Sequence, residues 1–174
     1  IQRSAAEVMV KHVSLELGGK NPMIVFPDAD MDSAVEGAAR GMNFHWSQGQ
    51  SCGSTSRLFL HRDIHDEFVE KLKRRVERIV IGDPLDPATE MGCMISKSQY
   101  DKAHKYSDLG REQGAVCVTG GSRPEGAAFE MGYFIRPTIF TGVTNDMRIA
   151  QEEIFGPVLS VLKWDDEEAV ISQA

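Results

Sequence analysis

Cysteine is scarce in this chain: Cys52, Cys93 and Cys117 are the only three in 174 residues. Thiols that few and that scattered cannot build the disulfide framework of a small secreted domain. The opening residues lack the pattern of a secretory leader, and a reducing, cytoplasmic setting is the expectation. No stretch approaches the roughly 18 consecutive apolar residues of a membrane span. Positive charge is also short, with 19 Lys and Arg against 26 Asp and Glu and a net charge of −7. The one run of three adjacent cations, Lys73-Arg74-Arg75, sits on the polar side of a predicted helix. Non-specific binding to nucleic acid or to an anionic membrane needs the opposite balance, so neither partner is expected. Repeats and low-complexity tracts are missing as well. What is there, 41% apolar and 26% charged residues, is the composition of an ordinary folded domain with enough chain to bury a core. The chain starts at Ile1 and ends just after a helix-like acidic start, Asp165-Asp166-Glu167-Glu168, and reads as a piece of a longer protein.

Apolar spacing supplies the elements. Ile1 to Met9 is a short helix. His12 to Leu17 alternates around β-branched Val13 and predicts a strand ended by Gly18-Gly19; Met23 to Phe26 predicts a second. From Asp30, a natural N-cap, Met31, Ala34, Val35, Ala38, Ala39, Met42 and Trp46 keep helical spacing and predict one continuous helix. A small-residue loop, 47–54, leads into a strand over Arg57 to His61. Helices are predicted over Ile64 to Ile79 and Ser98 to Gln113, and strands over Ala115 to Val118, Tyr133 to Phe140 and Val158 to Trp164. Strands alternating with helices predict an α/β fold, a largely parallel sheet flanked by helices.

Several motifs compete for the chemistry. Gly49-Gln50-Ser51-Cys52-Gly53 matches the G-x-S-x-G elbow of serine hydrolases. The elbow needs a strand entering and a helix leaving, whereas here a predicted helix enters and a strand leaves. The same loop suits Cys52 as nucleophile, because its small neighbours leave the sulfur open and let backbone N–H groups approach an oxyanion. A small core residue is the other reading of Cys52. Cys117, inside an apolar strand, is expected in the core, and Cys93 to be structural. His61 and His65 have the i, i+4 spacing of a helical metal pair but no H-E-x-x-H glutamate, and read as surface or capping residues. Gly18-Gly19-Lys20 lacks both the first glycine and the following Ser or Thr of a phosphate-binding loop. Glu16 ends an otherwise apolar strand, where α/β sites are commonly built, and burial there would suit a general base. A solvated carboxylate is the alternative.

Leu15-Glu16-Leu17-Gly18-Gly19-Lys20-Asn21-Pro22 resembles the glutamate signature of the NAD(P)-dependent aldehyde dehydrogenase superfamily. Gly49-Gln50-Ser51-Cys52 with Ser56-Arg57 resembles its cysteine signature. Asp28-Ala29-Asp30-Met31-Asp32 and Glu153-Ile154-Phe155-Gly156-Pro157-Val158 are similar to two further blocks, and all four stand in family order between about Lys11 and Val161. The resemblance implies that Cys52 adds to an aldehyde to give a thiohemiacetal and then a thioester, and that Glu16 activates the hydrolytic water. It implies that Glu153 and Phe155 hold the nicotinamide side of NAD or NADP, with Gln99 and Lys102 near the same ribose. Trp46 falls where it lines the aldehyde tunnel, although a core aromatic explains it equally well.

By the same resemblance, residues 1–17 are the last helix and strand of a cofactor-binding domain. Residues 18–174 are then a catalytic domain of aldehyde dehydrogenase type, incomplete at both ends, from a homo-oligomer. An oxyanion-donating asparagine is expected upstream, and the isolated piece is expected to be inactive. Two details depart from the pattern. Glu16 and Cys52 are 36 positions apart, slightly more than in the better-known aliphatic-aldehyde members, and Ser51 stands before the nucleophile where some members have cysteine. Two rivals stay open: an esterase-type hydrolase using Ser51 or Cys52, and a non-enzymatic oligomer or partner module.

Overall fold

The computed structural model describes residues 1–174. Five strands, β1 (Pro22–Val25), β2 (Arg57–His61), β3 (Val116–Thr119), β4 (Thr138–Thr141) and β5 (Val158–Trp164), form one sheet in the order β1-β2-β5-β4-β3. The β1–β2, β2–β5 and β5–β4 pairs are parallel, and only the β3 edge is antiparallel. The largely parallel, helix-flanked sheet expected from the sequence is therefore what forms.

Both faces of the sheet are covered, which is why its central strands read as unbroken apolar runs. Leu58 and Leu60 of β2, with Leu159 and Val161 of β5, pack against α2 (Met31–Gly41) and α4 (His65–Glu77) through Val35, Ala38, Ala39, Phe68, Leu72 and Val76. Phe59, Val158 and Leu162 point the other way. They meet Ala103 and Tyr106 of α5 (Lys97–Glu112), Ile149 and Ala150 of α6 (Arg148–Gln151), and Val170 of α7 (Glu167–Gln173). Asp30 and Ser96 cap α2 and α5, accepting from the Ser33 and Gln99 amides at 2.9 and 3.3 Å.

Five expectations need correction. His12 to Leu17 forms no strand: its alternation is real, but no strand of the chain lies alongside to complete its hydrogen bonds, and Leu17 is 80% exposed. The opening helix is only α1, Gln2–Ala6. The helix capped by Asp30 stops at Gly41, because Asn43 turns left-handed (φ 58°), and a separate one-turn helix, α3 (Phe44–Ser47), carries Trp46. Within 133–140, pairing starts only at Thr138, immediately after Pro137, which has no N–H to give a ladder. Cys117 is half-buried on the β3 edge strand rather than in the core.

Candidate active site

The parallel order brings three segments together. β1, β2 and β5 are neighbours in register, Pro22 beside Arg57 and Arg57 beside Ser160. The segments that enter them, 16–21, 49–56 and 153–157, therefore converge at one edge of the sheet. This is the amino-terminal edge of those strands, not the carboxyl edge that open α/β sheets favour and that Glu16 was expected to mark. Glu16, Leu17, Gly18, Gln50, Ser51, Cys52, Glu153 and Phe155 line an open cleft of about 540 Å³ here.

Cys52 sits in a tight turn. The Ser54 amide donates to the Ser51 carbonyl (3.1 Å) and the Gly53 amide to Ser51 Oγ (3.2 Å). The thiol is exposed and shares the cleft with the Glu16 carboxylate. The nearby carboxylate and its charge push the thiol above its ordinary value, while the Cys52 and Gly53 N–H groups pull weakly the other way. A thiol beside a carboxylate is slow to ionise unaided, but its proton has an acceptor in place. Glu16 is itself exposed, so the burial expected for it is absent. Ser51 Oγ is occupied as an acceptor, and no histidine lines the cleft, so the serine-hydrolase constellation is not assembled.

Across the cleft, Glu153 Oε1 accepts from the Gly19 amide (3.1 Å) and its second oxygen has no hydrogen-bond partner. Two glycines permit this closeness. A Cβ on Gly18 (φ 71°) would lie 2.4 Å from Glu153 Oε2, and one on Gly49 (φ 69°) would lie 2.4 Å from the Gly156 carbonyl oxygen. The neighbouring Glu152 is taken out of play: Arg148, then Tyr106, hydrogen-bond it and hold it down to about 2. Phe155 is held in the left-handed region (φ 58°). Gln99 Nε2 donates to the Ile154 and Phe155 carbonyls at 2.8 and 2.7 Å, so its amide nitrogen serves this backbone.

Of the residues singled out in the sequence, Cys52, Glu16, Glu153 and Phe155 share the cleft, whereas Gln99, Lys102 and Trp46 are not in its wall. Lys102 is half-buried, and its charge is felt by Lys20. Trp46 is 88% exposed, which overturns the core reading, and stands on the turn that leads into the Cys52 loop. Asn21, Lys20 and Arg57 had been given no role. Arg57 Nε donates to the Lys20 carbonyl (2.8 Å) and its NH groups tie Asn145 (3.1 Å) and the Gln173 carbonyl (2.8 Å). Their presence inside the two signature blocks was the only signal, and it says nothing of geometry.

A family model described as "Aldehyde dehydrogenase family" matches residues 1–174. The chain belongs to the aldehyde dehydrogenase family. It is 52% identical over 171 residues to a betaine aldehyde dehydrogenase of Mesorhizobium japonicum, which covers 98% of this chain and 35% of that protein. Among solved structures, a betaine aldehyde dehydrogenase from Staphylococcus aureus in complex with NAD+ superposes with a TM-score of 0.89. Its identity is 40%, over 99% of this chain and 33% of that one. An aldehyde dehydrogenase from Bacillus cereus, also an NAD+ complex, gives 0.86 and 43% over 99% and 34%. The chain thus spans about a third of the length of the aldehyde dehydrogenases it matches.

Proposed function

We propose that the protein carrying this chain oxidises an aldehyde to a carboxylic acid with NAD or NADP, using Cys52 as nucleophile and Glu16 as base. One observation carries the reading: the Cys52 thiol and the Glu16 carboxylate line one cleft together with Glu153 and Phe155. The cofactor would meet Glu153, whose unpartnered oxygen suits a ribose hydroxyl, and the Phe155 side chain. The half-buried Lys102 stands as a further cation on that side, and Gln99 supports it through the 154–155 backbone.

Cys52 Sγ adds to the aldehyde carbon and its proton passes to Glu16, which solvent reaches and can relieve of it. The carbon becomes a tetrahedral thiohemiacetal, and its oxygen accepts from donors around the nucleophile turn. When bound, NAD or NADP supplies the acceptor for the hydride that leaves this carbon. The thioester left on Cys52 is attacked by a water whose proton Glu16 takes, and the acid departs with the thiol restored.

The relatives are named for betaine aldehyde, a substrate with a quaternary ammonium; an aldehyde of that class is the candidate substrate here, and Trp46, outside the cleft wall but close to Cys52 in sequence, is the aromatic to test for it. An exposed indole on the turn six residues before the nucleophile offers a cation a π face. Formation of reduced cofactor by the full-length protein tests the reading, with betaine aldehyde, an aliphatic aldehyde and an aromatic one. Cys52→Ala abolishes turnover and Glu16→Gln leaves the acyl-enzyme standing. Trp46→Ala raises KM for betaine aldehyde by about 5- to 30-fold with little change for the aliphatic aldehyde. Turnover that survives Cys52→Ala sinks the mechanism.

A further inference from the structure

The residue that ties the two halves of this chemistry together is Asn21. It follows the Gly18-Gly19-Lys20 stretch that links Glu16 to β1, and its side chain reaches across to the nucleophile turn. Asn21 Nδ2 donates to the Cys52 carbonyl at 2.7 Å and to the Ser54 carbonyl at 3.2 Å. Both partners are acceptors only, so the amide orientation is fixed by chemistry: a nitrogen must face them. The two N–H groups of one amide thus bracket the 52–54 turn, which is closed on its inner side by Ser54 N–H to Ser51. The Asn21 carbonyl meanwhile accepts from the Arg57 amide (3.2 Å), so its backbone is already part of the β1–β2 pairing.

No other side chain on the base-bearing segment 16–21 makes a hydrogen bond to the nucleophile turn. Without the Asn21 amide, Cys52 and Glu16 sit on two neighbouring loops joined beyond the turn by Arg57, which holds the Lys20 and Asn21 carbonyls, and no side chain of segment 16–21 grips the turn itself. With it, the separation of those loops is fixed while the thiol and carboxylate exchange protons. We propose that Asn21 is a positioning residue, an amide clamp that sets the Cys52–Glu16 distance by holding the carbonyls of the nucleophile turn.

The inference rests on the assignment of Cys52 and Glu16 above, and the test separates the two. In the full-length enzyme, the rate of Cys52 alkylation by iodoacetamide is followed against pH by peptide mass spectrometry, which resolves Cys52 from Cys93 and Cys117. Asn21→Leu keeps the size of the side chain without a donor or a charge, and Asn21→Ala is the second variant. Both are checked by thermal melting and by cofactor binding.

If the clamp holds, loss of Asn21 lets the thiol escape the carboxylate. The alkylation profile then moves to lower pH, in the direction given by Glu16→Gln. Asn21→Leu in the Glu16→Gln background adds no further shift, because the two changes act on one contact. kcat falls on the order of 10-fold, while cofactor affinity stays within about 2-fold, since Gly19 still holds Glu153. A Glu16→Gln profile that overlays the wild type overturns the pairing itself. A Glu16→Gln shift with Asn21→Leu and Asn21→Ala both overlaying the wild type overturns the clamp alone. A lowered melting temperature with an unmoved profile likewise assigns Asn21 to stability only.

Discussion

At the residue scale, the oddest group next to the site is Lys20. Its Nζ is buried without a hydrogen-bond partner, although the motif that contains it reads as a plain loop. Burial, reinforced by the nearby Arg57 and Lys102 and opposed by Glu153, brings its pKa down from 10.5 to about 7. A lysine that titrates lower in the folded chain than in the unfolded one binds fewer protons when folded. Stability therefore rises with pH across the window from about 7 to 10.5, and below it the full cost of the buried ammonium is present. Lys20→Met keeps the stem and removes the charge. Urea unfolding at pH 6 is expected to show a gain of roughly 2 kcal/mol that fades as the pH climbs through that window. A variant less stable than wild type at pH 6 would mean that the ammonium has a partner after all. The same scale shows what sequence could supply. That Cys52, Glu16, Glu153 and Phe155 meet in one cleft was legible because each lies in a short run whose glycines must let backbones touch. Asn21 and Lys20 lie in the same runs, but their roles depend on what stands across the cleft.

At the scale of elements, the spacing rules failed where a single residue left the expected backbone region. Met42 and Trp46 continue the α2 period, and nothing in that pattern reveals that Asn43 turns left-handed, a conformation asparagine tolerates better than most residues. The short α3 that results is bounded by a second such residue, Gln48 (φ 54°). It is braced from α4 by Arg75, which meets His45 Nε2 at 3.1 Å and Glu36 at 2.7 Å. His12 to Leu17 failed differently, since alternation reports an extended backbone but cannot supply a neighbour to pair with. Helix α5 was placed within a residue or two, yet the service done by Gln99 near its start was not visible. Its Nε2 holds the carbonyls on either side of the strained Phe155 bend. Gln99→Ala removes both bonds at a point where φ is unfavourable, and two bonds at about 1 kcal/mol each predict cofactor binding weakened about 10- to 30-fold. Isothermal titration with NAD checks it, and Cys52 alkylation, which depends on the other wall of the cleft, should not change. A variant with unchanged cofactor affinity would relegate Gln99 to a contact of no consequence.

At the scale of the whole chain, the core and the opening segment are separate matters. Both apolar clusters are built from residues after Gly19, the earliest being Met23, Ile24 and Val25. By contrast Ile1, Val8, Met9, Val10 and Leu17 stand exposed together at the start. Apolar groups collected on one exposed segment invite contact with something else, and the chain spans only about a third of its relatives. A polypeptide of these 174 residues alone should therefore fold, because its two-faced sheet does not depend on the opening segment. It should also bind a hydrophobic dye through that segment and self-associate. Trimming residues 1–10 is expected to leave the melting midpoint within about 3 °C, since no buried contact is lost, and to reduce dye binding and association together. Neither form should produce reduced cofactor from any aldehyde, although Cys52 should still alkylate, because the cleft carries the proposed nucleophile and base but only Glu153 and Phe155 of the proposed cofactor contacts. A large fall in melting temperature on trimming would show that the segment packs against the core. Turnover by the 174-residue chain would show that Glu153 and Phe155 suffice to hold the nicotinamide against the nucleophile.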